Sequence, residues 1–485
     1  MNKTIVLLLF AAAGLPIGCT LAPKYTRPAP PVPTGWPTGA AYAETAVATN
    51  AVLAPDLGWQ TFFTDEKLRH VIGTALTNNM DLRAAALNVE MARAQYGIQR
   101  ATLWPTISAT GSQSKQRTPA DLSNSGERQT TTRYDANLGA AAWELDFFGR
   151  VRSLKDSALH DYMATEEARR SVQILLVASV ADAYLAMAAD RESLRLAETT
   201  LKAQEASYKL IKRRYDIGLV TELDLYRAQT QVDAARGDVA SFKQQAAQDE
   251  NALILLAGAT VPEEWLPTRL DDVTPPQDIQ AGLVSEVLLR RPDVAQSENL
   301  LKAAYADIGA ARASFFPRIS LTAAYGTASS ELSGLFKGGS GAWSFAPQIV
   351  APIFDPRTWS AYKVAKAQQD IAVAQYGKSI QSAFREVADA LAVRGTVSEQ
   401  VSSQQSLVHA VAEAYRLSSA RYDKGIDSYL SVLDAQRSLY SAQQGLVSLR
   451  LAKLVNQVRL FAVLGGGTET EKKNDAAAAP LLKDL

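Results

Sequence analysis

The sequence predicts an α + β membrane protein in which one unit, helix–strand–strand–long helical hairpin, occurs twice. Three observations predict it. Segments of the first half return in the second at fixed offsets. Short runs of apolar/polar alternation separate long stretches without proline or glycine. Those long stretches carry apolar residues at steps of three and four.

The repeats come first. A segment that opens at Asp81-Leu82 closes on Arg100-Ala101-Thr102-Leu103-Trp104-Pro105. Its copy opens at Asp293-Val294 and closes on Arg312-Ala313-Ser314-Phe315-Phe316-Pro317, an offset of 212 residues. Farther on, Val180-Ala181-Asp182-Ala183 returns as Val387-Ala388-Asp389-Ala390. Arg214-Tyr215-Asp216-Ile217-Gly218 returns as Arg421-Tyr422-Asp423-Lys424-Gly425, and Ala228-Gln229 as Ala435-Gln436, all at an offset of 207. Chance does not hold one offset over so much chain. The change of offset places a length difference of five residues between Pro105 and Val180, in the loops.

Each half then reads in the same order. A helix over Asp81 to Leu103 is ended by Pro105. Tyr134, Ala136, Leu138, Ala140 and Ala142 alternate with Arg133, Asp135, Asn137 and Gly139. In the second half Ile319, Leu321, Ala323 and Tyr325 alternate with Ser320, Thr322 and Ala324, and Trp343, Phe345 and Ile349 with Ser344, Ala346 and Gln348. A period of two means strands with one apolar and one polar face. The connecting stretches, Ser112 to Thr132 and Ser329 to Gly341, are polar loops.

From Arg152 to Arg214 no proline or glycine occurs, enough for a helix of roughly 60 residues and about 90 Å. The return helix carries a seam at Leu225, Ala228, Val232, Ala235, Val239, Phe242, Ala246, Leu253 and Leu256. Its copy runs Val432, Ala435, Leu439, Ala442, Leu446, Leu449, Leu460 and Val463. The facing helices offer Val177, Val180, Tyr184 and Met187, and Ile380, Phe384, Val387 and Leu391. Such spacing predicts coiled-coil packing. Gly218 and Gly425 stand where each long helix must turn, and Thr221 to Asp224 reads as a capping box for the return.

The N-terminus reads as an export signal over residues 1–18: Lys3, then an apolar run from Ile5 to Ala13 too short to span a bilayer. Leu15-Pro16-Ile17-Gly18-Cys19 resembles a lipoprotein cleavage site, with Pro16 where an aliphatic residue is usual. Cys19, the single cysteine, is the expected lipidation site and excludes an intramolecular disulfide. The domain reading follows. Residues 19–60 form a lipid-anchored extended segment, rich in proline after Pro23; 61–260 the first repeat; 261–291 a linker; 292–467 the second repeat; and 468–485 a loose tail.

Composition removes other classes. The formal net charge of zero advertises no basic face for nucleic acid. His70, His160 and His409 have no metal-ligand spacing, and no phosphate loop, dinucleotide fingerprint or nucleophile elbow occurs. Neither an enzyme nor a cofactor is expected. Four strands with one apolar face are different. If that face meets lipid, every sheet edge must close, because an unpaired backbone group in hydrocarbon costs several kcal/mol. Four strands per chain therefore demand further copies. Two copies give eight strands and a lumen filled by side chains; a transport pore favours three or more. Trp104, Trp143, Phe147, Phe148, Phe315, Phe316, Trp343 and Phe354 flank the strands, either as interfacial girdles or as filling for the strand–helix junction.

Several motifs carry a resemblance. They are the site at Cys19, Gly58-Trp59 through Phe62-Phe63, Trp143-Glu144-Leu145-Asp146-Phe147-Phe148-Gly149-Arg150 and Arg290-Arg291-Pro292-Asp293. Ile308 through Pro317 and Leu433-Asp434-Ala435-Gln436-Arg437-Ser438-Leu439 complete the set. With them the chain resembles the TolC-type outer-membrane factors, in their OprM-like lipoprotein branch, from Cys19 to Gly465-Gly466-Gly467. The resemblance implies a homotrimer with a twelve-stranded barrel in the outer membrane, continued by a long helical barrel in the periplasm. It implies a periplasmic adaptor and an inner-membrane pump of the RND class as partners. Thr20 after the cysteine fits outer-membrane sorting.

By the same resemblance Leu430 forms an apolar constriction at the periplasmic tip and Asp434 an acidic ring just inside it. Arg394 and Tyr422 tie the movable hairpin to its neighbours, and the Gly218 and Gly425 turns meet the adaptor. Three carboxylates around one axis repel each other and attract cations. The first half has Arg227 where the second has Asp434, which suggests a pairing between them. The competing reading is a lipid-anchored periplasmic coiled-coil scaffold or adhesin without a pore. It explains the helices and Cys19 but not two strand pairs at matching places. The cargo is not written in the sequence.

Overall fold

The computed structural model describes residues 20–42, 54–282 and 284–467. The export signal, Cys19 and the tail from Thr468 lie outside the described residues. The chain forms two compact units, each assembled from both repeats. Of the described residues, the first takes those up to Ala29, Asn88–Glu166 and Gln296–Gly377; the second takes the remainder. The long elements are α1 (Glu66–Asn78), α2 (Met80–Ala101), β1 (Ile107–Thr118), β2 (Gln129–Leu145), α3 (Arg150–Asp216) and α4 (Glu222–Ala257). The second half supplies α5 (Pro292–Ala313), β3 (Arg318–Ser329), β4 (Gly341–Val350), α6 (Pro356–Asp423) and α7 (Tyr429–Val463).

In the first unit the two strand pairs merge into one antiparallel sheet, ordered β1-β2-β3-β4. Cross-strand partners share a face, so the register sorts the side chains. Leu138 pairs with Ala109 and Tyr325, and Tyr325 with Trp343; Ala323 pairs with Ala140 and Phe345; Ile319 pairs with Leu145 and Ile349. All of these lie on one apolar face. Ser108, Thr110, Ser112, Asn137, Gly139, Ser320, Thr322 and Ser344 lie on the other.

The alternation breaks at one place. Between Ala140↔Ala323 and Trp143↔Leu321 the β2 strand carries an extra residue opposite Thr322. Ala142 adopts φ 51°, and its N–H donates to Thr322 Oγ1 at 3.0 Å. This bulge corrects the sequence reading, which put Ala142 on the apolar side. The side chain that continues the apolar face is Trp143. Gly139 is required by close approach: a Cβ there would stand 2.8 Å from Ala324 Cα.

The exit of β2 into α3 explains one of the recognised motifs. Glu144 accepts from Arg150 Nε at 2.8 Å, and Asp146 accepts from Arg152 Nε at 3.1 Å. Gly149 takes φ 76° at the corner. Phe148 stacks on Phe316 at 4.8 Å, and Phe315 meets Trp359 edge-on at 4.8 Å. The flanking aromatics therefore divide: Phe148 and Phe315 pack at the junction, whereas Trp104, Phe147, Phe316, Trp343 and Phe354 are exposed. The N-terminal segment is pinned along α5. Leu21 O accepts from Arg312 at 3.3 Å, and Tyr25 packs edge-on against Tyr305. Buried Glu298 accepts from the Tyr25 hydroxyl and both ends of the Arg27 guanidinium.

In the second unit α3–α4 and α6–α7 are antiparallel hairpins. Arg236–Glu205 and Lys243–Glu198 stitch the first; Gln404 and Asn456 side chains donate across the second to Ala442 O and Ala390 O. Ala228, Val232, Ala235, Val239 and Leu253 of the first seam are buried. The second seam drifts: Val432 and Ala442 are buried as expected, but Val447 replaces Leu446, and Gln436 and Asn456 enter it. One stretch of α3 is apolar enough to cross a membrane, yet most of it is buried against protein.

A duplicated node closes each repeat. Asn79, buried before α2, donates to Leu256 O at the end of α4 at 3.0 Å. Arg291, buried before α5, donates to Val463 O at the end of α7 at 2.7 Å. These pairs are related by the same offsets, 212 and 207, as the sequence repeats. Arg291 also pairs with Asp293 and Glu386. Beside this node Phe62 stacks on Phe461 at 3.8 Å, which accounts for the recognised Phe62-Phe63 pair.

Candidate functional site

Two surfaces carry chemistry that a soluble monomer does not need. The first is the apolar face of the sheet. Leu138 is 61% exposed, Trp343 75% and Phe345 57%, and Tyr325 and Ile349 are equally open. A contiguous apolar patch of this kind marks a surface that meets lipid or protein. Along β2 it runs from Leu145 through Trp143, Ala140, Leu138 and Ala136 to Tyr134. Five steps of two residues are about 34 Å along a strand, or roughly 26 Å along the normal at a tilt near 40°, matching the ≈ 25 Å apolar band of outer-membrane barrels. Both β1 and β4 present unpaired outer edges. Lipid forbids open edges, so the sheet is complete only with further strands. Its polar face is lined by hydroxyls and amides, and its charges are paired: Arg133 with Asp135, and Glu144 with Arg150 and Arg318.

The second surface is the pair of hairpin tips. Both turns close alike. Leu219 N–H donates to Arg214 O and Ile426 N–H to Arg421 O, with Gly218 at φ 75° and Gly425 at φ 74°. The left-handed glycine at each turn is the one the sequence required. The starts of the return helices differ. Thr221 and Asp224 form a full capping box on α4, whereas Ser428 makes no side-chain cap on α7. Ser431 stands where the repeat would place the second acid. Arg421–Asp427, with Nε–Oδ2 at 2.6 Å, holds the second turn instead. A missing cap costs about 1 kcal/mol, so the second tip is the more easily frayed. The tips share an apolar cluster of Ile211, Ala228, Tyr429, Val432 and Leu433. Burial pushes the Tyr429 phenol up to about 12. Ile217, Leu219, Leu223, Tyr226 and Ile426 remain exposed.

The residues singled out from sequence do not all meet. Tyr422 lies in the tip cluster, 5.4 Å from the Tyr429 ring, with the Arg214 guanidinium 5.0 Å over its face. Leu430 and Asp434 follow on α7, both exposed. Arg394 is elsewhere. It sits 28 residues before Tyr422 on the same helix, about 42 Å away, and donates to Ile279 O at 2.5 Å and Asp278 Oδ2 at 3.0 Å. One unbroken helix between the two positions was the signal that separates them. Within the chain Asp434 and Arg227 are not paired with each other. Asp434 pairs with Arg437, and Arg227 faces Asp224 at 3.9 Å, each one turn along its own helix.

An unclosed sheet with a lipid-length apolar face, carried on long helical hairpins, defines a class: the protomer of an outer-membrane barrel. The comparisons agree. The family model described as outer membrane efflux protein matches twice, over residues 71–259 and 283–466, one match per repeat. The antibiotic efflux pump outer membrane protein ArpC and the toluene efflux pump outer membrane protein TtgC, both of Pseudomonas putida, are each 48% identical over 481 residues, 99% of either chain. The open-state MtrE outer membrane channel of Neisseria gonorrhoeae superposes with a TM-score of 0.83 at 38% identity, covering 93% of this chain and 98% of that one. The chain belongs to the outer membrane efflux protein family, whose members are outer-membrane channels and not enzymes.

Proposed function

We propose that three copies of this chain enclose the passive exit duct of a tripartite efflux pump, with a periplasmic adaptor and an RND-type inner-membrane pump supplying cargo and energy. The observation that carries it is the sheet: lipid-length on one face, hydrophilic on the other, and open at both edges. Three copies give twelve strands, enough for a water-filled lumen. In this reading β4 of each copy pairs with β1 of the next, and the long helices form the periplasmic wall. The exposed Ile217, Leu219 and Ile426 at the glycine turns are the adaptor's contact surface. Leu430 and Asp434 narrow the tip, Tyr422 packs the hairpins shut, and Arg394 anchors α6 to the linker near Asp278. Cys19 carries the lipid. Leu21 and Ala22 lie against α5 near Gly309 and Arg312, a few residues before β3, which suits an anchor at the barrel's rim.

The cargo is an organic toxicant. Relatives equally similar to this chain are named for antibiotic and for toluene efflux, so drug and solvent remain joint candidates. The test is complementation. Expressed with a cognate adaptor and pump in a host lacking its own outer-membrane efflux channel, the chain is expected to restore antibiotic or toluene tolerance and lower the accumulation of a fluorescent pump substrate. Unchanged accumulation, with the protein present in the outer membrane, overturns the reading.

A further inference from the structure

The sheet does not end where its apolar face ends. The last β2–β3 pair is Tyr134↔Ser329, yet β1 and β2 continue together to Thr118↔Gln129. Five further residues of β2 make a two-stranded ribbon that projects about 17 Å past the four-stranded sheet. Its two faces differ. On the side continuous with the polar face, Arg133 and Asp135 neutralise one another. On the side continuous with the apolar face, the register places Gln113, Lys115 and Arg117 of β1 opposite Tyr134, Thr132 and Thr130 of β2.

That second side is cationic and carries no acid. Lys115 and Arg117 are exposed, and among the described residues neither has an ion-pair partner. The acids of the connecting turn, Asp121 and Glu127, belong to neither ladder. Depth decides what the cations face. On β2 the apolar band ends at Tyr134, as interfacial aromatics end such bands; Tyr325 and Trp343, in the row of Leu138, are the last large apolar residues of their own strands. Lys115 is one row past Tyr134 and Arg117 two, about 5 and 10 Å farther along the membrane normal at a tilt near 40°. Lys115 lies within the headgroup layer, which adds roughly 5–7 Å to each side of the hydrocarbon, and Arg117 lies just beyond it, where its long side chain can reach back. The ribbon is the end remote from the helices, so the layer is that of the outer leaflet.

We infer that Lys115 and Arg117 form a lipid-binding rim that takes phosphorylated glycolipid headgroups of the outer leaflet, on the outside of the barrel. Two unpaired cations at i and i+2 on one strand face present their charge over about 7 Å. Cations at a membrane surface attract anionic headgroups, and guanidinium recognises phosphate bidentately. The inference rests on the reading of the sheet as membrane-spanning.

The test compares the full-length assembled protein with the double variant Lys115→Glu/Arg117→Glu and the milder Lys115→Gln/Arg117→Gln. The probes are diphosphoryl lipid A and its dephosphorylated form, scored by lipid retained in native mass spectrometry. The wild type is expected to prefer the phosphorylated lipid at least tenfold, the Gln pair to lose most of that preference and the Glu pair all of it. Single-channel conductance should stay unchanged, which shows that the variants fold and insert. A wild type blind to the phosphates, or variants that retain the lipid equally, overturns the inference while leaving the channel intact. A wild type that leaves bilayers silent sinks the membrane-spanning reading and the inference together.

Discussion

Single residues set how the hairpins respond to charge. Burial pushes the Asp182 carboxyl up to about 6, and the Arg459 charge opposes this only in part. The folded chain then holds a proton that the unfolded chain has released near pH 4. The stability this proton supports is present below about pH 4 and is lost as pH rises to about 6. Asp182→Asn should raise the melting temperature at pH 7, with a gain in stability on the order of 2 kcal/mol, and flatten the fall in stability between pH 4 and 6. A variant that melts like the wild type at pH 7 contradicts this. At the tip, Asp434 is paired with Arg437 of its own helix. Asp434→Ala frees that arginine. Single-channel recordings should then show higher conductance and a weaker preference for cations; unchanged recordings remove Asp434 from the gate.

At the scale of elements, sequence periodicity reached far but not everywhere. The second strand pair, the part of β2 past Arg133, the two glycine turns and the Thr221–Asp224 capping box were legible because each rests on local chemistry: alternation, a left-handed turn, a hydroxyl three residues before a carboxylate. The stretch from Ser112 to Thr132, read as a loop, is strand over Ser112–Thr118 and Gln129–Thr132, where polar residues on both faces hide the alternation. The bulge at Ala142 was not legible, since it depends on Thr322 across the sheet. Helix α1 escaped because its apolar residues were not separated from the motif before it. The closing node escaped as well, because Asn79 and Arg291 share a role but not a residue type. The node yields a prediction. Arg291→Ala leaves Glu386 and the Val463 carbonyl without their donor beside a buried junction. The expected loss is about 3 kcal/mol, with α7 fraying from its C-terminal end. Hydrogen exchange should accelerate over residues 456–463 before it does at the hairpin tips; uniform exchange argues against the node.

For the whole molecule, the duplication supplies two strand pairs and two hairpins that have since diverged. The strand pairs kept their chemistry and joined edge to edge into one sheet. The hairpins did not. The first has a capping box, whereas the second lacks one and has the Arg421–Asp427 pair and the Leu430–Asp434 segment. One firm hairpin and one weakly capped hairpin suit a tip that must open without unfolding. Sequence could supply the family and the pattern of these parts. The unbroken helix through Arg394 and Tyr422 already carried their separation; what sequence could not supply is the Arg437 partner of Asp434, because that depends on how side chains pair in space.

The account stands on the incompleteness of a four-stranded sheet whose apolar face is long enough to span lipid. The most direct measurement is the mass of the purified protein in detergent together with its conductance in planar bilayers. Three chains per particle and discrete ion-conducting steps are the predicted result. A stable single chain that inserts without carrying current would contradict it.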